Sequence, residues 1–155
     1  MIDDRPHVLF AWEWGTGRGH LVRFNPLLQR LVSRGCRVTA IVRNPSAAGQ
    51  ILRPFEPTET NAAFDEDVSH LLQIRPIAVS PPTGQRLPSQ PTTFGELAWN
   101  LGFSRPDYIL ESLGWWRHQI HRLPIDAVIT DFGLAAALAA IGSRLPVLRI
   151  GPVWD

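Results

Sequence analysis

Apolar residues follow two rhythms along this chain, and the rhythms divide it into units. Val8-Leu9-Phe10-Ala11-Trp12 is an unbroken apolar run followed by glycines, the pattern of a strand buried on both faces. From His20 to Arg34 the residues Leu21, Phe24, Leu27, Leu28 and Leu31 recur every three or four positions, and Gly35 supplies a stop. That spacing predicts an amphipathic helix. Arg37 to Val42 is rich in β-formers and is followed by Asn44-Pro45. Strand, helix and strand within about thirty-five residues make a βαβ unit, whose strands pair in parallel.

The far end repeats the scheme. Ile125 to Thr130 reads as a strand, Phe132 to Ile141 as an almost wholly apolar helix, and Pro146 to Ile150 as a last strand. The middle is less regular. Ile51 to Asp67 has no sustained period, Leu71 to Val79 holds a third strand interrupted by Pro76, and five prolines between Pro76 and Thr92 (Pro76, Pro81, Pro82, Pro88, Pro91) predict a stiff surface loop. Thr93 to Leu101 and Asp107 to Leu123 read as helices, the second with Ile109, Leu110, Leu113, Trp116, Ile120 and Leu123 on one broad face. Two βαβ units joined by helices predict an α/β domain: a Rossmann-like, doubly wound parallel sheet flanked by helices. Ligands of such sheets lie beyond the carboxyl ends of the strands, where the connections diverge. The loops of interest are therefore Glu13 to Gly19 and the one at Asp131.

Size and charge narrow the function. The 155 residues, 45% of them hydrophobic, suffice for one core and therefore one domain. A net charge of +1 lacks the basic footprint of a nucleic-acid binder, so small molecules are the expected partners. All 15 basic residues are arginine, which removes Schiff-base lysines and the P-loop lysine. With the single cysteine Cys36 there is no internal disulfide, and His7, His70, His118 and His121 show no ligand spacing, so neither a metal nor a resident cofactor is expected. The N-terminus does not resemble a signal peptide, and the longest apolar stretch, 133–142, falls short of the ~18 residues a membrane span needs; a cytoplasmic location is expected.

Gly15-Thr16-Gly17-Arg18-Gly19-His20 joins the first strand to the first helix, a tight turn ending at exposed helix N–H groups and so suited to meet a ligand. A dinucleotide fingerprint would place glycine where His20 stands and an acid where Arg43 and Asn44 stand. An NADP-linked oxidoreductase domain remains a reading through Arg43, a residue type able to hold a 2′-phosphate.

The chain resembles the N-terminal half of GT-B fold glycosyltransferases, including macrolide-type and UDP-glycosyl or glucuronosyl transferases and the lipid-linked transferase of peptidoglycan synthesis. The resemblance rests on Gly17-Arg18-Gly19-His20, Asn25-Pro26-Leu27-Leu28, Leu31, Arg34-Gly35 and Val38-Thr39. Later come Phe94-Gly95-Glu96-Leu97 with Leu101-Gly102-Phe103, then Asp126 to Phe132, Ala139-Ala140 and Leu145-Pro146-Val147. Order and spacing carry it across nearly the whole chain. It implies an acceptor-binding domain whose nucleotide-sugar donor is held mainly by a C-terminal domain outside these residues, on the same chain or a separate donor-binding one. It also implies that His20 is the base that takes the acceptor hydroxyl's proton in an inverting transfer, with Asp131 orienting it. Histidine suits that role at neutral pH.

Gly17, Arg18 and Gly19 would line the substrate site, and Trp14, Phe94 and Phe132 would wall a small apolar acceptor, with Trp12 nearby. Plainer roles stand beside these. Asp131 directly precedes a helix and could serve as its N-cap; Trp99, Trp115 and Trp116 read as core or interface; and the whole could be a non-catalytic remnant or acceptor-binding module.

Overall fold

The computed structural model describes residues 4–52, 68–82 and 93–150. Its elements are β1 (His7–Trp12), α1 (Gly19–Ser33), β2 (Arg37–Val42), α2 (Pro45–Ile51), β3 (Leu72–Pro76), α3 (Phe94–Ala98), α4 (Pro106–Arg122), β4 (Ala127–Asp131), α5 (Leu134–Gly142) and β5 (Val147–Arg149). The five strands form one parallel sheet in the order β3-β2-β1-β4-β5. The order reverses between β1 and β4, which makes the carboxyl end of that strand pair the topological switch point.

Side-chain alternation along β1 explains both cores. Val8, Phe10 and Trp12 face α1 and α2, where they pack with Leu21, Phe24, Leu28 and Val32, and Phe10 stacks on Phe24 at 3.6 Å between ring centroids. Leu9 and Ala11 face the other way, onto Trp116 and Ile120 of α4 and Ala135, Ala136, Ala139 and Ala140 of α5. Every residue of β1 is buried, as an unbroken apolar run in a two-faced sheet requires. At the opposite end of the sheet, His7 N–H donates to Asp126 Oδ2 and the His7 ring meets Thr39 Oγ1. Burial and the Arg37 guanidinium lower the His7 pKa. This histidine belongs to the floor of the sheet, away from the switch point.

Several boundaries differ from the sequence reading, for local reasons. Helix α2 was not anticipated, although Asn44 Oδ1 accepts from Ala47 N and Pro45 begins the helix, a standard start signal. The helix predicted for Thr93 to Leu101 is the short α3, opened by a reciprocal Thr93–Glu96 capping box, and continues as a π-helical turn over Trp99–Phe103. On α4 the buried face is Tyr108, Ser112, Trp116 and Ile120, while Leu110 points outward at 72% exposure. Trp99, read as core or interface, is half exposed and so is not part of the core. The final helix starts at Leu134 rather than Phe132. Residues 53–67 and 83–92, where the irregular segment and most of the proline-rich loop were read, lie outside the described residues. No described helix is long and apolar enough to cross a membrane.

Candidate active site

Two connections meet at the switch point, one leaving β1 and one leaving β4. Trp12 and Asp131 are the last residues of these strands and stand opposite each other in the parallel register. Both side chains project to the α1 side, because each continues the alternation that sends Phe10 and Ile129 there. His20, in the first turn of α1, comes down onto the same spot. Its Nδ1 lies 2.9 Å from Asp131 Oδ2; the imidazole is 14% exposed and the carboxylate fully buried. A carboxylate only accepts, so the hydrogen is assigned to Nδ1 and Nε2 keeps its lone pair. Asp131 Oδ1 is buried with no hydrogen-bond partner among the described residues. The geometry brings together the two residues to which the family resemblance assigns acid–base work.

Aromatic rings enclose the imidazole. Phe132 meets it edge to face at 5.1 Å, Trp14 lies at 5.6 Å and Trp12 at 6.2 Å, and Trp14 and Phe132 touch each other at 4.8 Å. Phe132 holds φ at 49°, a left-handed conformation costing about 1–2 kcal/mol for a residue with a Cβ. It turns the chain sharply off β4. Gly17, Arg18 and Gly19 are exposed and form the rim; Arg18 occupies the N-cap position of α1 without a side-chain capping bond. The side chain of Phe94 lies outside the described residues, so its predicted part in the wall has no structural account.

The N-cap role considered for Asp131 is not what the structure shows. The N-cap of α5 is Gly133, with no side-chain bond of its own, and the acceptor for the helix is Glu13. This residue follows β1 and projects to the opposite face from Asp131, where its two oxygens receive Ala135 N at 3.3 Å and Ala136 N at 2.7 Å. Burial raises its pKa to about 7, against the lowering influence of those two N–H groups, the Arg43 charge and the Trp116 indole N–H. Arg43 in turn donates from Nε to Glu13 O at 2.6 Å and from Nη1 to Val79 O at 3.0 Å. The guanidinium is thus committed to carbonyls of its own fold, which weighs against its serving a nucleotide 2′-phosphate. Gly15 rests directly on the Arg43 stem, where a Cβ would fall 2.9 Å from its carbons. Sequence reasoning did not single out Glu13. Its signal was an acid between two tryptophans directly after an apolar run.

Solved structures share this architecture. MurG from Acinetobacter baumannii aligns with a TM-score of 0.55 and 20% identity, over 93% of this chain and 34% of that one. UGT2 of Phytolacca americana, complexed with UDP-2fluoro-glucose and pterostilbene, gives 0.54 and 16%, over 96% and 31%. The fold is a Rossmann-like parallel sheet matching part of these GT-B structures. UDP-GlcNAc 2-epimerase from Neisseria meningitidis, bound to UDP-GlcNAc, also aligns, at 0.50 and 14% over 93% and 31%. No family model and no curated protein matches the sequence. The chain spans about a third of the length of each of these GT-B structures.

Gly17 lies against the Nε2 edge of the imidazole. Its φ is +79°, and a Cβ there would sit 3.2 Å from His20 Cδ2 and 3.4 Å from Nε2. Gly17→Ala is expected to cost about 1 kcal/mol in stability through its backbone and, by crowding Nε2, to weaken ligand affinity further. Urea unfolding alongside ligand titration measures the two effects separately, and equal affinity for both proteins would refute the crowding.

Proposed function

We propose that this chain is the acceptor-binding domain of an inverting glycosyltransferase, with His20 as general base and Asp131 as the residue that orients it. The observation that carries the reading is the 2.9 Å contact from Nδ1 to a fully buried carboxylate at the switch point. It fixes the tautomer and leaves Nε2 as the base on the Gly17 side. In the reaction the acceptor oxygen attacks the anomeric carbon, the bond from that carbon to the nucleotide diphosphate breaks, and Nε2 takes the hydroxyl proton. The nucleotide diphosphate leaves with the bonding pair.

Trp14 and Phe132 offer this chemistry an apolar wall, suited to a small flat acceptor that carries a hydroxyl. The pterostilbene in the Phytolacca americana structure is an acceptor-sized ligand on a related fold, and the UDP-sugar there supports a nucleotide-sugar donor. We place the main donor contacts in a second domain outside these 155 residues, on the same polypeptide or on a partner chain.

The test is ligand-induced thermal stabilisation followed by transfer assays on the full natural polypeptide, with UDP-sugars, flat phenols and NADPH compared. A ligand at a hundredfold its Kd stabilises by about 2.7 kcal/mol. UDP-sugar-dependent glycosylation of a phenol that needs His20 supports the reading. Phenol binding without transfer would leave a binding module, and stabilisation by NADPH alone would overturn the proposal.

A further inference from the structure

We propose that Glu13 is the positioning residue of the His20–Asp131 pair: its carboxylate holds the turn carrying Asp131 and Phe132, while its backbone sets the two tryptophans against His20. Describing that pair as catalytic rests on the function proposed above; the positioning itself does not.

The argument begins with what α5 lacks. Its first turn contains no acid, and its N-cap is a glycine. A capping side chain there has no room to grow, because a Cβ on Gly133 would lie 3.1 Å from Ala11 O and 3.2 Å from Thr130 Cβ. The N–H groups of Ala135 and Ala136 therefore need an acceptor from elsewhere, and Glu13 reaches them from 122 and 123 positions away in sequence. A buried N–H without a partner is costly, so this contact decides where the helix begins relative to β1.

The three residues between Asp131 and Ala135 are thus anchored at both ends. On one side the β4 ladder holds Asp131 opposite Trp12; on the other, Glu13 holds the helix start. Between them Phe132 adopts its left-handed conformation and presents its ring to His20. The same Glu13 is flanked in sequence by Trp12 and Trp14, both of which face the imidazole. One residue therefore ties together three ring contacts and the carboxylate.

The groups facing the Glu13 carboxylate are Arg43 after β2, Tyr108 and Trp116 of α4, and the N–H groups of α5. Of these, Arg43 carries charge and Tyr108 is a phenol whose pKa burial raises. An ionised carboxylate accepts both helix N–H bonds with charge assistance, whereas a protonated one holds them more weakly. The hold on the turn should loosen as Glu13 takes up its proton.

Nitrogen-15 NMR of the His20 ring, recorded on this chain at pH 9, reads the outcome through its tautomer ratio. Glu13→Gln keeps the volume but replaces one acceptor oxygen with a donor. It should leave the circular dichroism spectrum intact and shift the ratio away from Nδ1–H by about threefold to tenfold, the scale of one hydrogen bond. Asp131→Asn serves as the reference for a lost orienting carboxylate. Ring shifts identical to those of the unmutated protein in a folded Glu13→Gln variant overturn the inference.

If Glu13→Gln does not fold, a pH titration of the His20→Gln protein, which lacks the imidazole's own titration, gives the answer instead. The backbone amides of Asp131 and Phe132 should follow those of Ala135 and Ala136 through one midpoint; flat Asp131 and Phe132 signals overturn the inference. Neither readout needs substrate, so failure to transfer sugar would refute the proposed function and leave the positioning role standing.

Discussion

His20→Gln should reduce sugar transfer by about 10²–10⁴-fold, the usual worth of a general base, while the protein stays folded. Glutamine is the informative replacement because its amide can still donate to Asp131. Alanine would leave a fully buried carboxylate without the donor it now has, adding about 1–3 kcal/mol of destabilisation unrelated to the reaction. The assay compares kcat and kcat/KM on the full natural polypeptide with an unfolding curve for each variant. A His20→Gln enzyme within a factor of a few of the unmutated rate would remove His20 from the chemistry.

The second large effect concerns Glu13 and pH. Its pKa lies near 4.5 in the unfolded chain and at about 7 when folded, because burial penalises the ion. A group with a raised folded pKa contributes stability that is fully present below its unfolded value and is lost as pH rises through the folded one. The stability of the unmutated protein, measured relative to Glu13→Gln, should therefore fall by about 3 kcal/mol between pH 4.5 and pH 8. Urea unfolding of both proteins across that range provides the measurement. A difference that stays constant with pH would show that Glu13 does not titrate in this window. Above pH 7 the fold keeps an ion buried at a net cost, while that ion grips the α5 N–H groups most firmly. Local order at the site and global stability thus move in opposite directions with pH.

The centre of the parallel sheet was legible in the sequence because β1, β2 and β4 are buried on both faces and therefore read as largely apolar runs. β1 and β2 stand close to where the pattern placed them, and the order of the two βαβ units followed from it. The pairing of β1 with β4 required the topology as well as the pattern. The middle of the chain was less legible for physical reasons. Helix α2 is only seven residues long, too short for periodicity, so its Asn44-Pro45 start was the sole clue. The faces of α4 were misread at Leu110 because a broad apolar stripe exceeds what the sheet can cover.

At the site, His20 and Asp131 were visible because the family resemblance singles them out, on the loops that the strand pattern had marked as the place to look. Glu13 stayed hidden because its partners are backbone N–H groups more than a hundred residues away. Such long-range capping has no local spacing to betray it.

The order of the strands has a further consequence for how the molecule is made. β1 meets β2 soon after synthesis, but its other edge waits for β4, and Trp12 pairs with Asp131 only once a further 119 residues have been made. At translation rates of about 5–20 residues per second, that edge stays open for roughly 6–24 s. During that interval the strand at the centre of the finished sheet has an unpaired, largely apolar edge, open to association with other chains. The strand edge that ends at the proposed site is thus the last edge of β1 to be covered in the nascent chain.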